Sequence, residues 1–177
     1  MSPTGIVRCV HSEGVYKMDT ESLFLIHMDQ LYRVAFLMLN NKLDAEDAVQ
    51  ETYIRMLMKK PVFRDEEHGK AWLLRVCINI CKNQIRFRKR HLAEKIEKYD
   101  VAVDSIKEWE VLQALSSLPI KLREPIVLST LAGYTIRETA EILGITEAAV
   151  KKRIQRGREK LDLQLGGIRS VSYTHLT

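Results

Sequence analysis

Positive charge in this chain is concentrated where it could grip a polyanion. Lys82, Arg86, Arg88, Lys89 and Arg90 stand together with no acidic residue among them, and Lys151, Lys152, Arg153, Arg156, Arg158 and Lys160 share their stretch with Glu159 alone. Each block carries five net positive charges while the whole chain carries only +5, so the remaining residues sum to −5. Two cationic blocks on an acidic background point to two separate contacts with nucleic acid. A solvated helix face is the plainer reading of either run by itself. What favours DNA is the motif around the second block, where Ala140, Gly144, Ile145 and Val150 follow the spacing of a helix-turn-helix. A small residue lets the two helices touch, glycine permits the left-handed turn, and the apolar residues lock the crossing. In that geometry the second helix enters the major groove, and Glu147, Ala148, Lys151, Lys152, Gln155, Arg156 and Arg158 supply its reading surface.

The first block has different neighbours. Phe63 and Trp72 flank a charged loop just upstream of it, an arrangement suited to stacking unpaired bases beside a cationic track. Trp72 also opens an apolar stripe and reads better as core, which leaves Phe63 and the polar groups of the loop as the stacking candidates. Further upstream, Glu46, Asp47, Gln50 and Glu51 make an acidic, amide-bearing helix face that would repel phosphate and suit a basic protein partner. Cys77 and Cys81, at i and i+4, share a helix face without a Cys or His pair to complete a metal set, and are read as buried apolar side chains. The carboxylates Asp44, Glu46, Asp47 and Glu51 crowd one helix, and no Ser or Tyr nucleophile sits beside a basic cluster, which argues against a recombinase or transposase. No catalytic residue, metal, cofactor or small-molecule substrate is expected.

These surfaces must be carried by helices. Glycine and proline are absent from Val15 to Lys60 and from Lys70 to Leu118, which excludes a turn-rich β architecture, and the richest apolar run, Leu23 to Met28, falls well short of the roughly 20 residues of a membrane span. Apolar residues at helical spacing predict a first helix over 21–39. A second follows from an Asp44 N-cap, with Asp47 as its box-like partner, to just before Pro61, and a third runs from about Trp72 to Arg90 after an irregular stretch from Phe63 to Lys70. The mixed charges of 91–104 read as a linker. Beyond it, Ser105 and Glu108 form a capping box before a helix that ends ahead of Pro119; another spans about 122–131; and Thr135 with Glu138, then Gly144 and Thr146, bracket the two helices of the motif. The fold class is therefore all-α, two small helical domains joined by a linker.

Residues Asp44 to Glu51, the run Trp72-Leu-Leu-Arg75 with Asn79, the pair Leu118-Pro119 and the helix-turn-helix, in that order, resemble an extracytoplasmic-function sigma factor of the sigma-70 family. The resemblance covers about Leu23 to Leu161. It implies a non-enzymatic, cytoplasmic subunit of bacterial RNA polymerase, with a region 2 domain at 19–90, a linker at 91–104 and a region 4 domain at 105–165. It implies that Asp47, Gln50, Glu51 and Ile54 dock the β′ clamp helices of core polymerase, and that the C-terminal domain sits on the β flap. Phe63, Arg64, Lys70, Asn79, Asn83 and Arg86 would capture and melt the −10 element as single strands, while the last helix reads duplex −35 DNA. An anti-sigma factor is an expected partner. Asn83, Ala149 and Gly157 depart from the family's usual Asp, Thr and Ala, and Gly157 should weaken its helix by about 1 kcal/mol unless close packing requires it. Tails at 1–18 and 166–177 are expected to lack order, and Met18, directly before the first helix, reads as an alternative translation start. The rival reading is an autonomous dimeric helix-turn-helix regulator that binds a palindrome without polymerase.

Overall fold

The computed structural model describes residues 9–12, 15–18, 20–91 and 106–164. Strands β1 (Cys9–Ser12) and β2 (Val15–Met18) form an antiparallel hairpin pairing Cys9 with Met18, so the segment expected to lack regular structure carries a short sheet. All the rest of the described secondary structure is helical: α1 (Thr20–Leu39), α2 (Lys42–Lys59), α3 (Glu66–His91), α4 (Ile106–Ser117), α5 (Ile120–Ile126) with a π-helical turn at Val127–Leu131, α6 (Ile136–Leu143) and α7 (Glu147–Gln164). The linker at 92–104 and the Ser105 cap lie outside the described residues.

Helices α1, α2 and α3 form one bundle. Leu23, Leu31, Val34 and Met38 of α1 meet Ala45, Ala48 and Met56 of α2 and Leu73, Leu74, Cys77, Ile78 and Cys81 of α3 in a dry core. Both cysteines are fully buried, as expected of small apolar groups. Cys81 hydrogen-bonds with Cys77, and this together with burial holds its thiol well above the usual range. By length and composition α1 passes for a membrane-crossing helix, a test the short apolar run did not anticipate, yet one side of it is the seam of this bundle. Asn40 ends α1 in the left-handed region, at φ 51°.

Two local expectations need correction. The N-cap of α2 is Asn41, whose Oδ1 accepts from the Asp44 N–H at 3.0 Å, rather than Asp44, whose carboxylate is paired with Arg88 of α3. Helix α3 begins at Glu66 instead of Trp72, because Asp65 accepts from the His68 N–H at 2.7 Å and Glu66 and Glu67 suit the positive end of the helix dipole. The loop is thus short. Gly69 lies where α1 presses on the first turn of α3: a Cβ there would stand 2.4 Å from Leu23 Cδ2 and 3.2 Å from the Phe63 ring.

The second bundle packs Leu115, Leu118, Ile126, Ala140, Val150 and Ile154. Pro125 falls inside the helix expected over 122–131, and the ladder widens directly after it, the Ala132 N–H reaching back to the Val127 carbonyl at 2.8 Å. Thr135 and Glu138 form the expected capping box, Gly144 turns at φ 65°, and Thr146 Oγ1 accepts from the Ala149 N–H at 3.2 Å. Gly157 allows close packing, since a Cβ there would stand 2.3 Å from Ile126 Cδ1.

The two bundles also pack on each other. Val127, Leu128, Tyr134 and Ile142 are buried in the same cluster as the core of α1 to α3, with Tyr32, Phe36 and Leu37 against it. Arg123 is 3% exposed and donates to the Met38 carbonyl at 2.7 Å, joining the end of α1 to α5. Burial lowers its guanidinium to about 10, so it stays charged at neutral pH. A picture of two domains held only by a linker therefore misses a direct interface.

Candidate nucleic-acid interface

The turn before α7 is set by Gly144 and Thr146, and the helix is anchored through Val150 and Ile154, which point into the second core. That leaves Glu147, Ala148, Lys151, Lys152, Gln155, Arg156 and Arg158 all exposed. Gln155 Nε2 donates to Glu159 Oε1 at 3.0 Å, which orients the amide along the helix. The structure thus brings all seven expected duplex-reading residues onto one convex helix, as the helix-turn-helix geometry demands.

Residues assigned to unpaired bases are divided by the fold. Asn79, Asn83 and Arg86 stand exposed along α3 at i, i+4 and i+7, with Arg86 Nη1 3.5 Å from Asn83 Oδ1. Arg64 is exposed at the start of the loop, and Lys70 is half-buried, its Nζ 5.2 Å above the ring of Tyr134. Phe63 departs from expectation: it is only 7% exposed, its ring 5.7 Å from that of Trp72 and edge-on to His68. The contact with Gly69 explains why, since the ring fills the space where α3 has no side chain. Phe63 supports the loop from beneath and offers no stacking face in this conformation.

Asp47, Gln50, Glu51 and Ile54 line one side of a groove of about 760 Å³ between α2 and α3, with Asn83, Gln84, Phe87 and Arg90 along the other. Asp47 and Gln50 are exposed, and Glu51 is held by Arg55 Nε at 2.8 Å. The groove joins an acidic wall, an apolar floor and a cationic rim, and its acidic wall suits a basic protein partner. Arg55 and Phe87 carry no signal in the sequence, and Arg90 is visible there only as part of the first basic block; the packing of α2 against α3 places all three beside Asp47. Among the described residues there is no group of three His, Cys, Asp or Glu that could hold a metal ion.

A family model of sigma-70 region 2 matches residues 23–91, and one of sigma-70 region 4 matches residues 108–161. The ECF RNA polymerase sigma factor SigM of Mycobacterium tuberculosis is 33% identical over 150 residues, covering 82% of this chain and 76% of that protein. The chain belongs to the ECF sigma factors of the sigma-70 family. SigW of Bacillus subtilis, another ECF sigma factor, is 30% identical over 159 residues, covering 79% of this chain and 85% of its own. Among solved structures, the sigma factor RpoE in complex with the anti-sigma factor NepR from Bartonella quintana superposes with a TM-score of 0.69 at 26% identity, over 84% of this chain and 98% of that one. CnrH in complex with the cytosolic domain of CnrY gives a TM-score of 0.64 at 28% identity, over 83% and 87%. Matches to both regions on one chain favour a sigma factor over an autonomous dimeric regulator.

Proposed function

We propose that this sigma factor binds core RNA polymerase through the α2–α3 groove and reads a promoter with its two basic surfaces. Asp47, Gln50, Glu51 and Ile54 form the docking edge for a basic helical element of the polymerase clamp. The C-terminal bundle rests on the flap and presents α7 to duplex −35 DNA, with Lys151, Lys152, Gln155 and Arg156 nearest the groove and Glu147, Ala148 and Arg158 at its borders. Lys70, Asn79, Asn83 and Arg86 of α3, with Arg64 of the preceding loop, take the −10 strand as it opens; Phe63 holds that loop in shape. Flipped bases repay part of the few kcal/mol that strand separation costs. The chain supplies no chemistry of its own, works in the cytoplasm, and is held in reserve by an anti-sigma partner, the class of protein bound to RpoE in its solved complex.

The observation that carries this reading is the separation of an acidic groove on α2 from an exposed basic helix, α7, on a different bundle. Its test is direct binding to purified core polymerase, followed by fluorescence anisotropy. Asp47→Lys should weaken binding at least tenfold while Arg156→Ala leaves it unchanged; equal affinity for the wild type and Asp47→Lys would refute the docking edge.

A further inference from the structure

We propose that Glu159 is a positioning residue for base recognition: it fixes which way round the Gln155 amide meets the major groove, so that Gln155 selects adenine at one position of the −35 element. The inference rests on the reading of α7 as the duplex-reading helix and names what one of its residues reads.

A glutamine amide is ambiguous as a reader. Its oxygen accepts and its nitrogen donates, and a half-turn about the last side-chain bond exchanges the two. In the major groove adenine presents the N6 amino donor beside the N7 acceptor, whereas guanine presents O6 and N7, both acceptors. A glutamine free to turn can satisfy either purine, so exposure on a basic helix does not by itself make Gln155 selective.

Glu159 removes that freedom. Gln155 Nε2 donates to Glu159 Oε1 at 3.0 Å. A carboxylate only accepts, so the amide turned the other way would set its own oxygen against a carboxylate oxygen, a repulsive pair. The identity of the partner therefore decides which end of the amide is nitrogen. One N–H is taken by Glu159, and the oxygen and the second N–H are left for a base. That is the pair adenine requires, with N6 donating to the oxygen and N7 accepting from the N–H. Guanine has no donor on this edge to meet the oxygen.

The placement of both residues agrees with this role. Ala148, Lys152, Gln155 and Glu159 recur at helical spacing on the side of α7 away from the buried Val150 and Ile154, and all four are exposed. Glu159 is also the one acid between Lys151 and Lys160, on a helix that approaches phosphate, where a negative charge weakens binding to every sequence alike. A pair four residues apart can simply steady the helix. That plainer role would change affinity for all sequences equally, whereas positioning changes which base is preferred.

The test is selection from a duplex DNA library of random sequence by core polymerase carrying the full chain, with sequencing of the retained DNA. The unmutated chain should enrich a motif in which one position favours adenine over guanine about tenfold. Gln155→Ala should abolish that preference and leave the other positions as they were. Glu159→Ala should reduce it below threefold while raising retention of the library as a whole, since a negative charge is gone. Glu159→Gln, which keeps an acceptor oxygen without the charge, should raise retention similarly yet hold a preference above that of Glu159→Ala. All three substitutions fall at exposed positions, and circular dichroism checks that α7 is intact. A motif with no position sensitive to Gln155→Ala, or one where the sensitive position favours guanine, would overturn the assignment of Gln155. An adenine preference that survives Glu159→Ala in full would overturn the role of Glu159, as would weaker retention with every base preference unchanged, the mark of a merely helix-steadying pair. Enrichment of no motif by the unmutated chain on core polymerase would overturn the −35 reading of α7, and the assignment with it.

Discussion

Gly157 shows what a single residue decides here. As a mid-helix glycine it should weaken α7 by about 1 kcal/mol relative to alanine. The structure gives the compensating reason, since α7 passes so close to α5 that a Cβ would meet Ile126 Cδ1. Gly157→Ala alone is therefore expected to bring little or no gain in urea unfolding, whereas in an Ile126→Val background the same change should stabilise by about 1 kcal/mol. Equal effects in both backgrounds would show that the contact does not matter. Lys151 is a different case, exposed on the outer face of α7 and free of packing duty. Lys151→Ala should weaken promoter binding at all sequences and reduce the salt slope by about 1, as the loss of one phosphate contact does. The residues of α7 were legible in the sequence because charge and motif coincide there. Phe63 was misread because an aromatic beside a charged loop looks the same whether it points outward or, as here, into the gap left by Gly69.

Helix ends carry most of what could be read at the scale of elements. The Thr135–Glu138 box was visible as a pattern and stands in the structure with both arms formed. Hydrogen bonds from the Thr135 hydroxyl and N–H, aided by the charge on Lys70, depress the Glu138 carboxyl below the usual range. A carboxyl lowered on folding stabilises above its unfolded value of about 4.3, and that contribution is lost as pH falls through the lower folded value. Urea midpoints measured between about pH 5 and 3 should therefore fall less steeply for Thr135→Ala than for the parent chain. At α2 the cap was assigned three residues late, because Asn41 and Asp44 are both cap-forming types and only the fold shows which side chain accepts from the first turn. Asn41→Ala should cost about 1 kcal/mol, while Asp44→Asn should act mainly by releasing Arg88. The start of α3 was missed for a related reason: four charged residues in five suggest irregular chain until Asp65 is seen to cap them.

For the whole molecule, the two bundles, the helix-turn-helix and the separation of acidic from basic surfaces were legible, since each rests on local periodicity and charge. The interface between bundles was not. Arg123, Glu124 and Val127 sit in an ordinary-looking amphipathic stretch, and only the fold brings Met38 and Lys82 to meet them, 85 and 42 positions away. Buried cations and acids in a small helical domain are the trace such an interface leaves, but a sequence does not mark which charges are buried. The central claim, that these surfaces together direct transcription, is tested most directly by run-off transcription with core polymerase and a genomic promoter library, the protein being added or withheld. The account predicts discrete transcripts that require the protein and vanish with either Asp47→Lys or Arg156→Ala. Absence of such transcripts, together with tight binding of a palindrome by the protein alone, would contradict it.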